Sequence, residues 1–166
     1  MWRRVFLAGT ALACVLAGAA AADTLNLVAN LSGRNEVPAV KTHASGLMTG
    51  DLDTSTGLFT YQVTYKGTSG AAMGAHFYGP AGRGKLAPPV VDIANPANPI
   101  SGAVQLTADQ VKALRKGLWY FSLATEANPA GEIRGQVQLD NSSQESLQNP
   151  MENEHPMGSQ MHQLSR

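Results

Sequence analysis

The chain has almost no thiol. Its only cysteine is Cys14, inside an N-terminal stretch that reads as removable, so the mature protein can form neither an intramolecular disulfide nor a catalytic thiolate. It also lacks a basic excess: 12 Lys and Arg balance 12 Asp and Glu. Without a basic stripe the electrostatic footprint of a nucleic-acid binder is missing. Beyond residue 22 there is no long apolar run, which excludes a helical membrane span in the remainder. Nor does the chain carry a Ser/His/Asp order or paired carboxylates at a recognisable catalytic spacing, and no enzyme activity is expected.

The N-terminus has the layout of an export signal. Arg3 and Arg4 precede an uncharged, apolar Val5–Ala22, and Ala20-Ala21-Ala22 supplies a small-residue cleavage site before Asp23. The arginine pair resembles a twin-arginine signal but lacks the preceding Ser or Thr, so an ordinary secretory signal is expected. Cys14 is not placed for lipidation: the apolar run before it is short, and Ala11 stands three positions upstream where a large aliphatic residue belongs. Residues 1–22 are thus expected to be a signal peptide, and the mature chain to be periplasmic or secreted.

Beyond this segment the chain alternates between apolar and polar residues. Leu25, Leu27, Ala29 and Leu31 are interleaved with Asn26 and Asn30. Tyr61, Val63 and Tyr65 are interleaved with Thr60, Gln62 and Thr64. Around Leu118–Leu123 both faces are apolar, as in a central strand. Ile133, Gly135, Val137 and Leu139 alternate with Glu132, Arg134, Gln136 and Gln138. A repeated period of two, with Gly, Pro, Asn and Asp between the runs, predicts antiparallel strands. Asp53–Gly57 fits a hairpin loop. One helix is predicted over Ala108–Lys116: Thr107 and Gln110 make a capping box, Lys112, Arg115 and Lys116 suit the C-terminal end of the dipole, and Gly117 stops it.

Residues 23–140 therefore form one domain, with residues 141–166 a polar tail. The tail is rich in Gln, Asn, Ser and Glu and has no β-branched or aromatic residue, a composition that predicts disorder. It also gathers Met151, His155, Met157, Met161 and His162. Thioether and imidazole donors suit Cu(I), so a flexible tail of this kind could collect copper without a preformed pocket; the simpler expectation is a polar tail without a cofactor.

Several separated motifs occur in order. Leu31-Ser32-Gly33 with Glu36-Val37-Pro38, Val40, Thr42, Ala44 and Gly46 comes first. Ala75-His76 with Gly79-Pro80-Ala81 is next, then Leu106-Thr107, Gln110, Leu114 and Gly117. Thr125, Asn128-Pro129 and Gly131-Glu132-Ile133-Arg134-Gly135-Gln136 close the series. Together they resemble the CHRD domain, named for its occurrence in chordin, in the form found in bacterial exported proteins. The resemblance implies an all-β extracellular module whose bacterial members mostly lack an established activity. The expected fold is a single antiparallel β-sandwich with Greek-key connections, immunoglobulin- or superoxide-dismutase-like, with one short helix. The family's histidine strand resembles the metal-ligand strand of copper–zinc superoxide dismutase. This chain departs from that pattern: Tyr78 replaces a second histidine after His76, and Ala124 stands where another is common.

Five side chains are candidates for ligand binding: Glu36, His76, Tyr78, Glu132 and Arg134. His76 and Tyr78, two apart on a strand, share a face. A metal at His76, helped by Glu36 or Glu132, would be short of the three or four ligands a closed site needs. Glu132 and Arg134 share a face, where they can form a same-face ion pair or reach across to a neighbour; the simpler expectation is a charge network holding the last strand in register, and an arginine fork also suits an anion. Gly79–Lys85 is Gly-rich and basic but lacks the strand–loop–helix context of a phosphate loop; a hairpin connection is expected. The expected role is a non-catalytic module binding an unknown protein or cell-surface component, with periplasmic copper binding as the alternative.

Overall fold

The computed structural model describes residues 24–148. Nine strands alternate with little else: β1 (Thr24–Ser32), β2 (Ser45–Asp53), β3 (Leu58–Lys66), β4 (Ala72–Tyr78), β5 (Pro89–Ile93), β6 (Ile100–Gln105), β7 (Tyr120–Thr125), β8 (Ile133–Gln136) and β9 (Gln138–Leu139). The alternation in the sequence becomes burial: Leu25, Leu27, Ala29 and Leu31 of β1 are buried while Asn26 and Asn30 are exposed. The β2–β3 turn is closed by Asp53, whose Oδ1 accepts from the amides of Ser55 and Thr56 at 2.8 and 3.0 Å. The predicted helix is α1 (Ala108–Arg115), with both halves of the Thr107/Gln110 capping box formed. Gly117 follows at φ +67, a backbone region that favours glycine.

The sandwich expectation is corrected. All strands lie in one antiparallel sheet of order β5-β4-β7-β8-β1-β2-β3-β6, with β9 also on β1. Two separate sheets would need a break between the β4/β7/β8 half and the β1/β2/β3 half. Instead Ser32 pairs with Arg134, and Leu27 and Val28 pair with Leu139 and Gln138. The sheet then curls on itself, giving a nearly closed barrel-like shape. Phe59 on β3 and Phe77 on β4 lie near opposite ends of the strand order, yet their rings meet edge to face at 5.5 Å. Trp119, Tyr61 and Phe121 complete this aromatic centre, and each such pair adds about 0.5–1.5 kcal/mol beyond its area burial. β7 is central, as its two apolar faces predict, with β4 on one side and β8 on the other.

A second helix, α2 (Asn141–Gln148), stands where composition predicted disorder. It starts because Asp140 caps it: Oδ1 accepts from the Ser143 amide at 2.9 Å, and the Asp140 carbonyl accepts from Gln144 N at 3.0 Å. Ser143 is buried against β1, where its Oγ accepts from Asn26 N at 2.7 Å. Capping and docking thus offset the weak apolar content of this short helix. Among the described residues no helix is long and apolar enough to cross a membrane.

Candidate functional site

The outer face of β5-β4-β7-β8 is the unusual part of the barrel. Its inner face is ordinary core: Ala75, Phe77, Phe121, Leu123, Ile133 and Val137 are all buried. The alternating side chains point outward, and strand register lines them into rows. Asp92, His76, Ser122 and Arg134 pair across the four strands; Tyr78, Tyr120 and Gln136 form the next row. An outer face of a sheet normally meets water. Here Tyr120, Ser122, Arg134 and Gln136 are all buried.

Two loops cover them. The 79–88 connection is tied down from below: Arg134 Nη2 donates to Lys85 O at 2.7 Å and Gln136 Nε2 to Ala81 O at 2.9 Å, while Gln136 Nε2 also donates to Gly117 O, just after α1, at 2.7 Å. The Tyr120 hydroxyl accepts from Ala87 N at 3.2 Å. The Gly-rich segment is therefore the expected hairpin connection, between β4 and β5. From the other side, the segment after the 3-10 turn Gly33–Asn35 brings in Glu36, whose Oε1 accepts from Ser122 Oγ at 2.7 Å. Gly131 makes this approach possible. It has φ +128, and a Cβ there would lie 2.7 Å from Glu36 Oε1 and 2.8 Å from Ser122 Oγ.

Arg134 sits on Tyr120, with its guanidinium carbon 3.4 Å from the ring centroid. Tyr78 stacks on Tyr120 from the β4 side, centroids 4.9 Å apart and planes within 8°. Tyr78 is half-buried, and its hydroxyl lies 3.4 Å from His76 Nδ1. His76 Nε2 in turn lies 3.5 Å from Asp92 Oδ1 at the exposed edge. Arg134 Nη1 is buried and has no hydrogen-bond partner among the described residues. Burial pushes the Glu36 carboxyl above its ordinary pKa, against the opposing pull of Ser122, the Arg134 charge and the Val37 amide. Burial also raises the Tyr78 hydroxyl, reinforced by Tyr120, Glu36 and Asp92.

Glu36, His76, Tyr78 and Arg134 are thus brought together. Glu132 is not with them, and the expected Glu132–Arg134 pairing is corrected. Glu132 precedes β8 and is fully buried among neutral donors. Thr42 Oγ1 and Thr125 Oγ1 each donate at 2.6 Å, Ser69 Oγ at 2.9 Å and Ser69 N at 3.0 Å. Burial alone would raise its pKa, but the combined hydrogen bonds from Thr125, Thr42 and Ser69 outweigh it and hold the carboxyl below its ordinary value. No group of three His, Cys, Asp or Glu that could hold a metal occurs among the described residues. Met151, His155, Met157, Met161 and His162 lie outside the described residues.

Sequence reasoning missed Tyr120, Ser122, Gln136 and Asp92 as members of the outer face. The first three carried a signal: each falls two positions from another polar or aromatic residue on the same strand. Asp92 joins only through the β4–β5 register.

A family model described as the CHRD domain matches residues 27–137, well over half the chain. No curated protein and no solved structure matches. The chain belongs to the CHRD domain family.

Proposed function

We propose that this CHRD-family chain is an exported, non-catalytic binding module that engages a periplasmic or extracellular partner through the outer face of β4, β5, β7 and β8. One observation carries the reading. Three distant stretches of sequence, around Glu36, His76–Tyr78 and Arg134, converge on one patch that pairs a buried charge with half-exposed aromatic and polar groups. A buried polar atom without a hydrogen-bond partner is uncommon in a fold, and Arg134 Nη1 on this face is one among the described residues. The basic-then-apolar residues 1–22 support export.

Fractionation of the source organism tests this reading. The protein is expected outside the cytoplasm, retained by an envelope or extracellular component, with Tyr78→Ala released into the soluble fraction. A cytoplasmic location, or retention that ignores Tyr78→Ala and Glu36→Ala alike, would overturn it.

A further inference from the structure

We propose that the groove between α1 and α2 is a docking site for an acidic, methionine-bearing segment of this same chain, residues 150–156, which follows α2 in the sequence. This contact stands apart from the outer face. The groove has a volume of about 500 Å³ and is lined by Ala108, Val111, Lys112, Arg115 and Lys116 on the α1 side and by Leu147 of α2. The α1 side follows the helical repeat, so these residues form one stripe. Its N-terminal part, Ala108 and Val111, is apolar; its C-terminal part, Lys112, Arg115 and Lys116, is cationic. Leu147 lines the same groove and is 42% exposed, so the barrel has not used up its apolar surface. Among the described residues none of the three cations has a carboxylate within ion-pair distance, and Asp109, the acid of α1, is not part of the lining.

An apolar floor beside unpaired cations fits an apolar side chain with carboxylates next to it. A small anion would leave the floor unused, and a flat bilayer would not enter a concave groove. The chain itself supplies the matching chemistry at the rim. α2 ends at Gln148, one residue past Leu147, and Pro150 is unsuited to prolonging the helix. Met151, Glu152 and Glu154 come next, with no Lys or Arg until Arg166. In an extended stretch Glu152 and Glu154 share one face and Met151 takes the other. Met151 can then cover Ala108, Val111 and Leu147 while the carboxylates meet Lys112, Arg115 and Lys116. The reach suffices: the stripe from 108 to 116 is about 12 Å long, and the six residues after Gln148 span up to about 20 Å. Tethering gives the segment an effective concentration on the order of millimolar, so even weak, exposed ion pairs are enough to seat it. An acidic segment of another molecule starts without that advantage.

The test is NMR on the full chain with labelled Met, Ala, Val and Leu methyl groups. Nuclear Overhauser contacts are expected between the Met151 methyl and those of Ala108 and Val111, unchanged on dilution. They should be lost when Glu152→Lys and Glu154→Lys are combined, and lost in concentrated salt. They should return when Lys112→Glu and Lys116→Glu are added to that variant, because the charges are then exchanged. The buried Leu27 methyl signals on β1 should stay in place throughout, which shows that every variant remains folded. Absence of the Met151 contacts in the unaltered chain overturns the docking. Contacts that survive the Glu→Lys changes overturn it as well, since charge then does not seat the segment. Contacts that vanish on dilution put the segment of one copy into the groove of another and overturn docking within one chain. A hexaglutamate peptide that shifts Val111 while Met151 makes no contact gives the groove to an outside acidic partner, and likewise overturns it.

Discussion

Glu132 and Arg134 are two residues apart, are almost equally buried, and do opposite things. Glu132 is surrounded by hydroxyls and an amide from three stretches of chain, at Thr42, Ser69 and Thr125, and every one is a close hydrogen bond. Arg134 lies on a ring, donates to one carbonyl, attracts the Glu36 carboxyl, and keeps one nitrogen without a hydrogen-bond partner among the described residues. The first is a finished structural joint, fastening the β1–β2 and β3–β4 connections to the β7–β8 turn. The second is a buried, incompletely paired cation beside half-exposed groups. Fully satisfied buried networks rigidify a fold, while a buried donor without a partner is uncommon and calls for an explanation beyond packing.

Removing the joint gives the largest effect. Glu132→Ala leaves several buried donors without an acceptor and is expected to lower stability by about 3 kcal/mol, read from urea unfolding. A loss below about 1 kcal/mol would mean the cage is not a joint. Gly131→Ala comes next. Its Cβ would press on Glu36 Oε1 and Ser122 Oγ, at a backbone angle few side chains adopt, and about 2 kcal/mol of strain is expected, measured by thermal unfolding. An unchanged melting temperature would show that Glu36 is free to move away.

The two carboxylates should also differ in the sign of their pH dependence. Glu132 has a lowered pKa in the fold, so its contribution is present above the ordinary glutamate value and is lost as pH falls through the lowered one. Glu36 has a raised pKa, so its contribution is present at low pH and is lost as pH rises through the raised value. Urea midpoints followed from pH 3 to 7 should therefore lose part of their acid sensitivity in Glu132→Gln and gain acid sensitivity in Glu36→Gln. The same direction in both variants would remove the contrast. The smallest effect on folding belongs to Tyr78→Ala, expected to cost no more than about 1 kcal/mol for one stacked ring pair.

Much of this was legible in the chain. The period-two runs located β1, β3, β7 and β8, and Thr107 with Gln110 located α1, because both signals are local; β5 and β6 carry no such run. Closure into one sheet was not legible, since it depends on the Ser32–Arg134 and Leu27–Leu139 pairings between distant parts of the chain. The family motifs contain Thr42, Thr125 and Glu132, but nothing local says that these meet. Pairing Glu132 with Arg134 is what their spacing on a flat strand suggests. The cage of hydroxyls supplied nearer partners for the carboxylate than the arginine. The α2 helix escaped because composition records apolar content and not a cap such as Asp140 with Ser143.

If the outer face carries binding while the Glu132 joint carries stability, photo-crosslinking in intact cells should separate the two. A benzophenone side chain is placed at position 78 in one variant and at position 49, exposed on β2, in another. A discrete adduct is expected from position 78, lost when Glu36→Ala is added, and none from position 49. Adducts of equal yield from both positions, or none from position 78, would contradict this division of roles.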